Sequence, residues 1–496
     1  MTTTETARRR TYGGLHEAPT TYLFGVSKKT FYLFATGVGL AIVLMLFGLY
    51  LVGAALLVLT LLAWAPLAVR FGGRSGYEYM TSLLGWRTQR RRGQNILRAG
   101  TLSNAPGGRT RLPGIGASTE MWWGIDKLGR RFGLIHMPSL HQYTIRLRCS
   151  VPGFAGVEQE QIDLDVANWG EFVNVSGQTG DIEAVVTVVE TIPETGARQT
   201  AEIARLCKPG APELAQAVVR ESQSDVRLGI QLHTYMAITF RATTDAKRKD
   251  PMAMIADLAD RIPAICQNLG TFRVQAVPMS DFEIAAVVRR AYDPRPEVET
   301  AVEESLREAK PYVEWLDAGP VTAEETKDTY FHEGAASRTW VMNQPPSGAP
   351  NERVLQHLLE TNGDVPRKRI TLIHRPLSPA DAAQAVESGY LSARGELNTQ
   401  KGAGSVRAEL KVAAAERTRR EEADGAGVTR VSMIISISAD SEAELKAQAD
   451  AVNSLASSSR TKVRPAWRHQ AAAFLSGLGV GVLLQDHAST AKSLQA

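Results

Sequence analysis

The residues with the greatest chemical potential are few and scattered. His332-Glu333 opens like the H-E-x-x-H helix motif, in which two histidines one turn apart hold a zinc ion. Ala336 stands where the second ligand belongs. His136 and His141 are separated by Pro138, so they cannot share one helix face. The other histidines stand singly and are expected to be surface or hydrogen-bonded core residues. Cys149, Cys207 and Cys266 lie far apart, match no metal spacing and read as small buried residues. There is no G-x-S-x-G nucleophile elbow. There is also no G-x-x-x-x-G-K-[ST] loop to cradle phosphates. Gly477-Leu478-Gly479-Val480-Gly481 follows a helical stretch rather than a strand, and reads as a loop opening an apolar tail. Glu297, Glu299, Glu303, Glu304, Glu308, Glu324 and Glu325 look like solvated charges of a connector, with nothing apolar around them to shift a pKa. The chain therefore reads as non-enzymatic, with no catalytic set, no cofactor and no metal.

The candidate binding residues are basic. Lys28 and Lys29 precede a long apolar stretch, and Arg70, Arg74, Arg87, Arg90, Arg91 and Arg92 follow it. Two readings compete for the Arg87–Arg92 run. One is attraction to anionic lipid headgroups, worth about 1 kcal/mol per basic residue near a surface. The other is contact with nucleic-acid phosphates, whose signature would be salt-dependent binding. Proximity to the apolar stretch favours lipid over DNA, and Trp86 fits an interfacial anchor.

These residues must be positioned by the apolar stretch itself. Phe31–Val69 spans 39 residues without Asp, Glu, Lys or Arg. One membrane helix takes about 20 apolar residues. The stretch is thus predicted to be two spans, Thr30–Phe47 and Val52–Val69, turning at Gly48 and Gly53. A signal peptide would have a shorter core. Basic flanks on both sides predict that both termini stay in the cytoplasm, in the cell (inner) membrane. The net charge of +4 hides this asymmetry: Met1–Leu112 carries 14 basic and 3 acidic residues, while the rest is acidic overall.

The remaining chain alternates strand and helix patterns. After a basic segment and linker (70–116), a first lobe is expected at 117–292. Its strands include Tyr143–Cys149, the β-branched Asp181–Ile192 and Leu232–Arg241. Its helices include Pro251–Leu269 and Asp281–Ala291, the latter capped by Ser280. An acidic connector (293–335) leads to a second lobe (336–480) and a tail (481–496). The second lobe contains Lys368–His374, the buried-looking strand Thr429–Ser438, a helix at Ser441–Ser458 capped by Asp440, and Lys462–Trp467. The predicted fold class is α+β: an N-terminal segment (1–30), a two-helix transmembrane hairpin (31–69) and two cytoplasmic α/β-sandwich lobes of split β-α-β type.

Two stretches carry a family resemblance. Tyr22-Leu23-Phe24-Gly25-Val26-Ser27-Lys28-Lys29 before the apolar stretch resembles the PrgI family and the small VirB-type subunits of type IV secretion. Thr429–Phe474 carries Ala439-Asp440-Ser441-Glu442, Glu444-Leu445, Arg464-Pro465 and Gln470-Ala471-Ala472-Ala473-Phe474. It is similar to the N-terminal domain of the CagE/TrbE/VirB conjugation ATPases, without the motor domain. Together these parts resemble an actinobacterial conjugation or secretion protein. The resemblance implies a structural subunit that touches membrane lipids and docks a secretion or conjugation ATPase and other membrane subunits. It is compatible with a homo-oligomer. The alternative is a type VII secretion component resembling EccE.

Overall fold

The fold is taken from a computed structural model of the chain, which describes residues 28–487 apart from 69, 72–73, 102, 104, 197–201, 204, 206–209, 225–228, 347–350 and 400–405. The PrgI-like residues Tyr22–Ser27, and Cys207, lie outside the described residues.

The apolar stretch forms two antiparallel helices, α1 (Lys28–Leu46) and α2 (Tyr50–Ala68). Gly48 makes the turn at φ +82°, where a side chain would be strained. The helices pack closely through small residues. A Cβ on Gly53 would lie 2.6 Å from Met45 Cγ and 2.8 Å from the Ala41 carbonyl oxygen. The Phe34 and Trp64 rings meet at a tilt near the base, with centroids 4.6 Å apart. A two-residue ladder, Arg70–Phe71 with Arg74–Ser75, then leads into α3 (Gly76–Arg91).

The expected transmembrane hairpin, and with it the two-span membrane location, is not what the structure supports. Among the described residues no helix is long and apolar enough to cross a membrane. Each of the two helices has 19 residues. At 1.5 Å per residue that is about 28 Å, short of a hydrocarbon core of about 30 Å. Lys28 and Lys29 shorten the apolar part of α1 further. The turn divides an unbroken run of 39 uncharged residues into two helices, and neither combines the length and the apolar content needed to cross a membrane.

The rest of the described chain is built on one sheet of 13 strands. They are β1 (Ile96–Arg98), β2 (Glu120–Ile125), β3 (Arg131–Met137), β4 (Gln142–Ser150), β5 (Ile182–Pro193), β6 (Ile230–Arg241) and β7 (Gln275–Pro278). They continue as β8 (Thr322–Glu325), β9 (Tyr330–His332), β10 (Ala335–Gln344), β11 (Lys368–Pro376), β12 (Thr429–Ala439) and β13 (Lys462–Pro465). The order is β1-β8-β9-β10-β12-β11-β5-β6-β4-β3-β2, with β13 added to β10 and β7 to β4. Every pairing is antiparallel. The supposed linker thus contributes edge strand β1, and the acidic connector contributes β8 and β9.

The sheet is internally repeated. β2 to β7 and β8 to β13 follow the same pairing plan, and both β7 and β13 end in proline. The halves meet where β5 pairs with β11, Thr187 opposite Leu372. The single antiparallel sheet replaces the two separate sandwiches expected from the strand–helix order, because the long strands β5 and β11 pair with each other across the repeat.

Helices cover both faces. α4 (Gln159–Gln178) and α5 (Glu213–Ser224) lie in the first half. α6 (Pro251–Gly270) starts at Asp250, whose side chain accepts from Met252 N at 2.9 Å, and buries Met254, Ile255, Leu258 and Ile262 at helical spacing. These pack on Leu134, Ile145, Met236 and Phe240. α7 (Asp281–Tyr292) begins with a capping box of Ser280 and Glu283. α8 (Pro296–Glu308) follows, and α9 (Pro379–Thr399) and α10 (Val406–Ala423) form an insertion in the second half. α11 (Glu442–Ser458) is capped by Ser441 rather than Asp440 and covers Trp340, Ile435 and Ile437. α12 (Gln470–Ser476) and α7 lie on the opposite face. The segment read as an apolar tail is core there, with Leu478, Val480, Val482 and Leu483 buried.

Candidate functional site

The most enzyme-like arrangement is a histidine–serine pair. His332 on β9 places Nε2 2.7 Å from Ser337 Oγ, which lies 2.6 Å from Ser438 Oγ. Burial pushes the imidazole pKa down to about 4, so the ring is neutral at pH 7. Its Nδ1 faces the Tyr292 carbonyl, an acceptor, and must carry the proton. Nε2 therefore accepts from Ser337. His332 is 1% and Ser337 0% exposed. The pair ties β9, β10 and β12 together, where no substrate reaches it. Cys149 is similarly inert: burial raises its thiol pKa to about 12. Among the described residues, no group of three or more His, Cys, Asp or Glu is placed to hold a metal.

A second cluster has no counterpart in the sequence reading. Glu190 on β5 is buried at the junction of the repeats. Its Oε2 accepts from Arg290 of α7 at 2.9 Å, and its Oε1 accepts from Arg369 of β11 at 2.5 Å. Glu299 of α8 accepts from Arg290 and from Arg367, each at 3.3 Å. Burial pushes the Glu190 carboxyl pKa up, but Arg369 and Arg290 outweigh it and hold the group ionised, well below the carboxylate range. Tyr235 accepts from Arg290 at 3.1 Å, and Arg146 of β4 lies over its ring at 4.3 Å. Glu299, read as a solvated connector charge, is 1% exposed. Glu325 is likewise enclosed, accepting from the backbone N–H of Gln470 at the start of α12 at 2.6 Å. The missed signal was parity. Glu190, Arg369 and Arg146 sit within β-branched strands at positions that point into the core.

The basic residues are only partly brought together. Arg87, Arg90, Arg91 and Arg92 are all exposed at the C-terminal end of α3, where cations suit the helix dipole. Arg90 stacks on Trp86 at 5.4 Å. Lys28 opens α1, and Arg70 and Arg74 form the ladder after α2, so their backbones share the base of the hairpin. Their side chains lie outside the described residues. α3 meets the body through Arg468, whose guanidinium is 4.8 Å from the Tyr79 ring.

The hairpin is the most unusual surface of the molecule. In α2 the inward residues Gly53, Leu56, Leu57, Thr60 and Trp64 form one stripe. The other residues from Tyr50 to Ala65 are apolar yet exposed, including Leu51 at 88% and Leu62 at 69%. In α1, Leu46 is 81% exposed, and Phe47 beside the turn is 80% exposed. A helix that is apolar all round is normally buried.

A family of unknown function matches this region. It is described as a domain of unknown function (DUF8461) and covers residues 19–78. The matched segment contains all of α1 and α2, the ladder and the first residues of α3. It includes Lys28, Lys29, Arg70 and Arg74 and stops before Arg87. No curated protein matches the chain.

Proposed function

We propose that this chain is a non-enzymatic structural subunit of a multiprotein transfer apparatus, in which the hairpin is buried by neighbouring subunits and the body docks a partner ATPase. The observation that carries the reading is the apolar exposure of α1 and α2 outside the stripe through which they pack on each other. Contiguous apolar surface on this scale marks an interaction site. One partner helix would cover a single stripe, so burial on every side calls for several neighbours. The ATPase part rests on the likeness of Thr429–Phe474 to the N-terminal region of conjugation ATPases.

The test is purification of the tagged full-length chain from its host, beside the double variant Leu46→Glu, Leu51→Glu. Both positions point outward, so the charges leave the body intact. Wild type is expected to bring down a secretion-type ATPase and further subunits in fixed ratio, and the variant to lose at least tenfold of them. Recovery of wild type alone, under conditions that hold the other subunits together, contradicts the proposal.

A further inference from the structure

The buried cluster at the repeat junction is short of negative charge. Arg146, Arg290 and Arg369 are 2%, 1% and 8% exposed, and Arg367 borders them. Facing them are two carboxylates, Glu190 and Glu299, whose four oxygens are all taken by Arg290, Arg367 and Arg369. Arg146 receives none of them. Its guanidinium rests on the Tyr235 ring, and its Nε and Nη1 are buried without a hydrogen-bond partner. The Nε of Arg290, whose Nη2 donates to the hydroxyl of the same Tyr235, is buried and unpartnered too. A buried guanidinium with idle donors is costly, and the ordinary remedy is a counter-charge. Burial pushes the Arg146 pKa down to about 10, still charged at pH 7.

We propose that Arg146, with the Nε–H of Arg290, binds one small inorganic anion sealed into the core between the two halves of the sheet. Guanidinium N–H groups bind both halides and tetrahedral oxyanions, and the site is defined by that shared donor chemistry. The anion completes a junction in which Glu190 bridges α7 and β11 from its place on β5. It is a part of the folded structure rather than a transported substrate.

The full-length protein is prepared in buffer containing chloride, sulfate and phosphate. It is then exchanged into gluconate, an anion too large for a site without solvent access, and denatured. Ion chromatography of the released solution reads anion per chain and identifies which of the three it is. Wild type is expected to release about one anion per chain, and Arg146→Met less than a tenth of that. Arg148→Met is the matched control, because Arg148 is half exposed and already paired with Glu283 at 3.2 Å; it is expected to keep the anion. Absence of a stoichiometric anion from wild type overturns the proposal, whether or not Arg146→Met folds. Equal release from Arg146→Met and wild type overturns it as well.

Discussion

Glu190 shows how much one side chain can organise when it is buried among opposite charges. It ties a strand of one repeat to a helix of the same repeat and to the first strand across the junction. Glu190→Gln would leave Arg290 and Arg369 facing each other with half their counter-charge. Losing one partner of a buried pair costs about 3–5 kcal/mol. Chemical denaturation should show a loss of that size, and a loss under 1 kcal/mol would mean that the network is dispensable. His332 makes a different demand. Its pKa falls from 6.5 to about 4 on folding, so between those values the unfolded chain binds the extra proton. Stability is therefore complete above about pH 6.5 and is lost as pH falls towards 4, by up to about 3 kcal/mol. Burial lowers His233 and His374 to about 4 as well, so His332→Asn should reduce the pH dependence of the melting temperature in that window by about a third; an unchanged slope would exclude His332 as a source. The sequence shows these residues but not their surroundings. Alternation places Glu190 and Arg369 on a definite side of their strands, yet only the pairing of β5 with β11 makes them neighbours. That contact lies 179 residues apart along the chain.

The elements were legible to different degrees. Local signals decide the capped helices: Ser280 with Glu283, and Asp250 before Pro251, mark α7 and α6 where they occur. The β-branched β5 and β12 are equally plain. Short strands such as β1 at the sheet edge and β9 between β8 and β10 have three residues each and no periodicity to read; they exist because neighbours supply their hydrogen bonds. The hairpin shows both outcomes. Its two helices and its Gly48 turn follow from composition, but neither helix is long and apolar enough to cross a membrane. Its packing depends on Gly53, where a side chain meets the backbone of the facing helix. In a Phe34→Cys, Trp64→Cys background, a short bismaleimide should join α1 to α2 efficiently, and Gly53→Leu should cut that yield at least fivefold. An undiminished yield would show that the helices pair in another way.

At the scale of the whole molecule, two oppositely specialised parts are joined. The body is a repeated antiparallel sheet with cores on both faces and a charged belt at its centre. The hairpin buries little beyond its own inner stripe, and its backbone base carries Lys28, Arg70 and Arg74. Repetition was hidden in the sequence because the halves share a pairing plan rather than residues, and because their insertions differ: α5 in one, α9 and α10 in the other. The central claim is that protein neighbours surround the hairpin. It is tested most directly by placing a photo-crosslinking amino acid, one position at a time, at Leu46, Leu51 and Leu59, and at Leu391 of α9 as an exposed control. On irradiation in the host cell, all three hairpin positions should give discrete protein adducts, with at least two partners among them, and Leu391 should give none of these. No protein adduct from any hairpin position would contradict the account.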